Sequence, residues 1–205
     1  MLLIMKNAQI YFFLEELNSI NISSLKKLKN IALIYRNYSK IDYINKAYQI
    51  KNFAKQHGHQ LFISNDLSLA IQIAANLYIP AFNKTLKYIN NNHKKKLKVI
   101  GSAHNYLEIQ KKISQGCDSI FLSPIYPTNS HPEKKPLGLL KFILLKQYFK
   151  SKINVYALGG INHKNINKIK LLDINGFGLK AFLEKRQNQK DIDFLNLIAR
   201  SKGIS

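Results

Sequence analysis

Eight short apolar runs, each followed by a polar or amphipathic stretch, recur roughly every 25 residues along this chain. They are "IYFFL" (Ile10–Leu14), "IALIYR" (Ile31–Arg36), "LFIS" (Leu61–Ser64) and "LYIPAF" (Leu77–Phe82), then "LKVIGS" (Leu97–Ser102), "SIFLSP" (Ser119–Pro124), "NVYALGG" (Asn154–Gly160) and "GFGLKAF" (Gly176–Phe182). Between them, apolar residues recur at helical spacing. Tyr43, Ala47, Ile50 and Ala54 form one stripe, Leu67, Ala70, Ile71 and Ala74 a second, and Ile166, Ile169 and Leu172 a third. A strand that is apolar on both faces needs cover on both faces. Such strands alternating with helices make a parallel sheet wrapped in helices. Eight units predict an α/β fold, a single (β/α)8 TIM barrel with short loops, occupying residues 1–205 as one domain. An open doubly wound sheet is disfavoured, because no glycine-rich dinucleotide turn follows any early strand.

Composition narrows the functional classes. The formal net charge is +21, from 32 Lys and Arg against 11 Asp and Glu. Such a charge raises nucleic-acid binding. The lysines are nevertheless spread along the chain, and "HKKKLK" (His93–Lys98) is the one compact run. No zinc-finger spacing, RNA-recognition signature or helix-turn-helix pattern accompanies it, so nucleic acid is not the expected partner. A basic surface still attracts small phosphorylated molecules. One cysteine, Cys117, excludes an intramolecular disulfide and reads as a buried structural thiol in a reducing compartment. No segment is long and apolar enough to cross a membrane. The opening "MLLIMKNAQIYFFLEEL" reads as a first strand, not a signal peptide. These features together predict a cytoplasmic protein with no membrane partner; homo-oligomerisation stays open.

In a barrel, function sits where strands pass into the following loops. The successive ends read "RNYSK", "SND", "PAFN", "GSAHN", "SPIYPTNSHPEKKPLG", "GGIN" and "KAF". Most offer hydroxyls, amides, cations or exposed backbone N–H groups. The opposite ends offer turns such as "QHGHQ" and "DIN", so His57 and His59 around Gly58 read as structural. The asymmetry predicts one polar mouth built for an anion.

Three stretches at that mouth have a familiar order. "GSAHNYLE" (101–108), "FLSPIYPTNSHPEKKPLG" (121–138) and "VYALGGI" (155–161) resemble the thiamine phosphate synthase/TenI family of (β/α)8 barrels. That family runs G-x-S-x-H-x-x-x-E, then G-P-x-x-P-T-x-[ST]-K with a downstream G, then A-I-G-G-I. "ISNDLSLA" (63–70) resembles its strand-three I-N-D-x-x-x-L-A. The resemblance implies a transferase that joins a pyrimidine methyl diphosphate to a thiazole phosphate and releases diphosphate. A leaving diphosphate calls for Mg2+, cations and N–H donors. By this resemblance Arg36, Asn65 and Ser102 contact the diphosphate, and Asp66 holds the metal. Thr128, Ser130, His131, Gly159 and Gly160 surround the thiazole phosphate, and Lys180 lies beside the strand-eight position.

The pattern also departs from the family. Ile34 stands for a strand-two glutamine and Tyr38 for its lysine. Asn83 stands where a second metal-binding Asp is expected, and His131 where a lysine is, with Lys134 and Lys135 close behind. The site is therefore partly degenerate. Two alternatives follow: a non-catalytic or regulatory TenI-like protein that binds phosphorylated thiazole, and a thiazole tautomerase. The tautomerase branch has a His where this chain has Pro124. Several positions also carry simpler readings. Asp66 and Ser102 suit helix caps, Arg36 an ion pair, Gly159–Gly160 a tight turn, and His104 with Glu108 an i,i+4 pair.

Overall fold

The structure is a computed structural model that describes residues 8–199, apart from 38, 40, 41, 87, 88, 91, 93–95, 129–134, 163, 171, 173, 185 and 186. Eight parallel strands close into a barrel in chain order, with β8 pairing back onto β1. The strands are β1 (Gln9–Leu14), β2 (Ala32–Tyr35), β3 (Gln60–Ser64), β4 (Asn76–Ile79), β5 (Val99–Ala103), β6 (Ser119–Leu122), β7 (Asn154–Leu158) and β8 (Gly176–Leu179). The expected single barrel is what forms. Several strands end earlier than the apolar runs do: β4 stops before Pro80, β6 before the Ser123–Pro124 bond, and β7 before Gly159. Proline lacks a ladder donor, and Gly159 adopts positive φ, so the regular ladder ends there.

Strand parity explains the near-continuous hydrophobicity. Tyr11, Phe13, Ala32, Ile34, Phe62, Tyr78, Ile100 and Phe121 point inward and form one buried cluster. Their neighbours Ile10, Phe12, Leu33, Ile63, Leu77, Ile79, Ile120 and Leu122 point outward into a second cluster beneath the helices. Glycine makes the tapered interior fit. A Cβ at Gly178 would lie 2.8 Å from a Leu158 methyl and 3.0 Å from the Phe13 ring.

The helices, in chain order, are α1 (Ser19–Leu25), α2 (Tyr43–Gln56), α3 (Leu67–Gln72), α4 (Tyr106–Ser114), α5 (Leu139–Phe149), α6 (Ile166–Lys170) and α7 (Gln189–Ala199), with a 3-10 turn at Ala181–Glu184. The first predicted stripe holds: Ala47, Ile50 and Ala54 of α2 are buried. The second is corrected. The inward face of α3 is Leu69 and Ala70, followed by Ile73, while Ile71 is exposed. Ala74 lies beyond the helix at φ +50°, where the chain turns into β4. The cap of α4 is Asn105, whose side chain accepts the Glu108 N–H at 3.0 Å, not Ser102. Cys117 is buried, as expected of a structural thiol. His59 is buried too, with Nε2 3.1 Å from the Leu25 carbonyl at the end of the barrel opposite the polar mouth. Among the described residues no helix is long and apolar enough to cross a membrane.

Candidate active site

Inward parity, followed to the strand ends and just past them, builds the mouth. Two residues beyond Ile34, Phe121 and Gly178 come Arg36, Ser123 and Lys180; two beyond Phe62 and Ile100 come Ser64 and Ser102. The Arg36 guanidinium carbon lies 5.5 Å from the centre of the Phe13 ring, over the apolar floor. Ser64, Ser102 and Ser123 are all buried. The Ser64 hydroxyl oxygen has no hydrogen-bond partner among the described residues. Ser64 and Ser123 were not among the residues singled out from the sequence. Each stands two residues after an inward phenylalanine, a direction that the barrel reveals.

The strand-three and strand-four ends meet. Asn65 sits at φ +58° and gives its N–H to the Tyr78 carbonyl at 2.8 Å. Asp66 caps α3, one carboxylate oxygen accepting the Leu69 N–H at 2.9 Å. The Asn83 Nδ2 donates to Asn65 Oδ1 at 2.6 Å. Asn83 Oδ1 accepts from the Thr85 N–H at 3.0 Å and from Gln115 Nε2 at 3.2 Å. Asn65, Asp66 and Asn83 are thus neighbours, but the Asn83 oxygen is already engaged by protein donors. Among the described residues no group of three His, Cys, Asp or Glu side chains is placed to hold a metal ion.

The strand-six and strand-seven ends form the other half. Pairing continues past the ladders, through Ile125 N–H to the Leu158 carbonyl (2.9 Å) and Tyr126 N–H to the Gly159 carbonyl (3.1 Å). Gly159 and Gly160 sit at φ +94° and +67°. The side-chain amides of Asn165 and Asn162 donate to the Gly160 carbonyl at 2.8 and 3.2 Å, fixing the turn. A Cβ on Gly160 would lie 2.4 Å from the Pro127 carbonyl oxygen, so Gly160 packs on the segment leading into Thr128. Thr128 and Gly160 therefore share the mouth, while Ser130 and His131 lie outside the described residues. Gly160→Ala combines a disfavoured φ with a clash against backbone. It is expected to destabilise the fold by on the order of 2 kcal/mol in urea unfolding. A loss below about 0.5 kcal/mol would mean that the 126–128 segment yields freely.

His104 and Glu108 pair as the simpler reading had it. His104 Nδ1 lies 2.8 Å from Glu108 Oε2, which also accepts the His104 backbone N–H at 2.9 Å. They brace the start of α4 beside Ser102.

Residues 20–179 match the family model described as "Thiamine monophosphate synthase". A thiamine-phosphate synthase of Prochlorococcus marinus (strain AS9601) is 33% identical over 158 residues, which cover 73% of this chain and 42% of that protein. This chain thus spans less than half the length of that relative. A putative thiamine-phosphate synthase 2 of Aquifex aeolicus is 32% identical over 147 residues, covering 67% of this chain and 74% of the relative. Among solved structures, the thiamine phosphate pyrophosphorylase from Pyrococcus furiosus superposes with a TM-score of 0.76 at 14% identity, covering 97% of this chain and 99% of that one. At that identity the superposition speaks for the fold alone.

Proposed function

The chain belongs to the thiamine monophosphate synthase family, and from that premise we propose that it joins a pyrimidine methyl diphosphate to a thiazole phosphate. In this reading the methylene carbon–oxygen bond breaks, diphosphate leaves with the bonding electrons, and the thiazole nitrogen forms the new carbon–nitrogen bond. The observation that carries the reading is the two-sided mouth. Asn65, Asp66 and Asn83 gather at the ends of β3 and β4, and Thr128 shares a face with the Gly159–Gly160 turn beyond β6 and β7. Two phosphorylated substrates need two such subsites facing one floor.

Each residue then has a task. Arg36 meets the diphosphate oxygens with a planar fork, and the Asn65 amide and Ser102 hydroxyl add neutral hydrogen bonds. Donors already in place as negative charge grows lower the barrier without reorganisation. Thr128, Ser130 and the Gly160 N–H, which has no acceptor among the described residues, hold the thiazole phosphate. Lys180 adds positive charge at the rim, and His131 takes the place of the family's lysine next to Ser130 in the chain. The aromatic floor of Phe13 and Phe121 keeps water from a cationic methylene.

Magnesium fits in one specific way. Asp66 spends one oxygen on its cap and keeps the second without a hydrogen bond from the described residues. One carboxylate matches an ion that is bound mostly by substrate phosphates. When bound there, Mg2+ would neutralise charge on the leaving diphosphate. Asn83→Asp adds a second carboxylate opposite Asn65. It is expected to lower the magnesium concentration for half-maximal turnover, because a charge–charge attraction replaces a neutral amide. An unchanged or higher requirement would remove residue 83 from the metal's surroundings.

The test of the whole reading is a coupled assay with both phosphorylated precursors and Mg2+. Formation of the joined product supports it. Thiazole-phosphate binding without product would favour the non-catalytic alternative, which draws on Ile34: that side chain is fully buried and offers no polar group on β2.

A further inference from the structure

Lys112, on α4, is 1% exposed. A buried ammonium is costly unless its donors are matched, and here they are. Its Nζ donates to the Pro80 carbonyl at 2.7 Å, the Asn83 carbonyl at 3.0 Å and Gln115 Oε1 at 2.8 Å. Gln115, also fully buried, turns its Nε2 to the Asn83 carbonyl at 3.0 Å, to Asn83 Oδ1 at 3.2 Å and to the Thr85 carbonyl at 2.9 Å. Gly101 leaves room for the stem: a Cβ there would lie 2.9 Å from Lys112 Cδ and 2.8 Å from the Cys117 sulfur. Burial pulls the Lys112 pKa down to about 8, a shift partly opposed by Cys117 and Glu108, so the group is still largely charged at neutral pH.

Every one of these side-chain hydrogen bonds outside the Lys112–Gln115 pair ends on residues 80–85, the segment that carries Asn83 to Asn65. Carbonyls of this segment are tied to the buried side chains behind them. The geometry points to Lys112 as a positioning residue for the active site: with Gln115 it fixes the segment after β4 and holds the Asn83 amide against Asn65. The clamp itself stands on these contacts; its bearing on catalysis rests on the functional reading above.

Lys112→Met keeps most of the stem volume and removes the three donors. Amide hydrogen exchange reads the clamp without any assay of turnover. Asn83 N–H bonds the Pro80 carbonyl at 3.1 Å and Thr85 N–H bonds Asn83 Oδ1 at 3.0 Å, so both report the segment directly. Exchange at these two amides is expected to rise about tenfold or more, the scale of losing a charge-assisted contact, while amides of β5 and β6 change by less than about twofold. With active protein, KM for the pyrimidine diphosphate should rise about tenfold and KM for the thiazole phosphate stay within about twofold. Unchanged exchange at Asn83 and Thr85, or an equal rise across the barrel, would overturn the proposal, as would equal rises in both KM values. If the wild-type protein shows no turnover, the synthase reading fails and exchange alone decides the clamp. If Lys112→Met does not fold, Gln115→Met is read by the same exchange criteria.

Discussion

Arg36→Ala is expected to lower turnover by about a hundredfold or more, and Arg36→Lys by about tenfold. The argument starts from placement. Arg36 follows β2 on the inward parity, its backbone N–H bonds the Leu14 carbonyl at 2.9 Å, and its guanidinium lies over the Phe13 ring. The backbone is therefore fixed and the head group is aimed over the barrel floor. The residue two before it on the same face is Ile34, which is fully buried and apolar. Arg36 is thus the charge that β2 brings to the inner face. In a mouth lined by low-dielectric aromatic rings, a fork that meets two phosphate oxygens is worth far more than in water. Lysine keeps the charge and forfeits the fork, hence the smaller loss. Both variants should unfold within a few degrees of wild type, because neither opens a core cavity. Thermal unfolding and turnover would be measured on the same preparations. Folded variants with unchanged turnover would remove Arg36 from the chemistry and favour the non-catalytic reading.

Phe121→Ala is expected to cost about 3–5 kcal/mol of stability, the range for a buried aromatic cut to a methyl. Phe121 is fully buried at the centre of the barrel. Its ring meets Tyr11 at 5.1 Å, Phe13 at 5.5 Å and Tyr156 at 5.8 Å, all edge-to-face, and Tyr78 at 6.3 Å. These rings come from β1, β4 and β7, so the cavity would undercut several strands at once. The melting temperature should fall by on the order of 10 °C. Phe121→Leu keeps most of the volume and should cost less than half as much. If Phe121→Ala shifted urea unfolding by under about 1 kcal/mol, the interior would have to collapse around the lost ring, and the aromatic layer would not be the keystone its packing implies.

The two halves of the mouth were unequally legible in the sequence. The Thr128 and Gly160 neighbourhood could be anticipated because β6 and β7 are consecutive parallel strands, and consecutive strands of a barrel lie side by side. Ser64 and Ser123 fall within the expected runs "LFIS" and "SIFLSP", but runs that are apolar on both faces do not tell which parity points inward. The closed barrel shows that both lie on the inward parity, two residues after Phe62 and Phe121. Asp66 was legible as a cap and as a carboxylate at the mouth, and the structure bears out the cap. Ser102 as a cap was wrong, because β5 runs through Ala103 and the helix begins after Asn105.

Periodicity by itself determined the barrel. Apolar runs of strand length and stripes of helical spacing leave little choice when every strand must be covered on both faces. Local motifs likewise determined where the polar mouth would be. Lys112 shows what they could not reach. In "QKKISQG" it reads as one of two adjacent lysines on a solvated helix, yet Lys111 is half-buried and Lys112 is almost wholly enclosed. Its partners Pro80 and Asn83 are 32 and 29 residues away in the chain. The same holds for Asn83 and Asn65, 18 residues apart. Those bonds exist because closing the barrel brings the end of β4 against α4 and the end of β3. Helix and strand patterns arise from neighbours in the chain. The cost of burying a charge, and the carbonyls that offset it, are set only once distant segments are packed together.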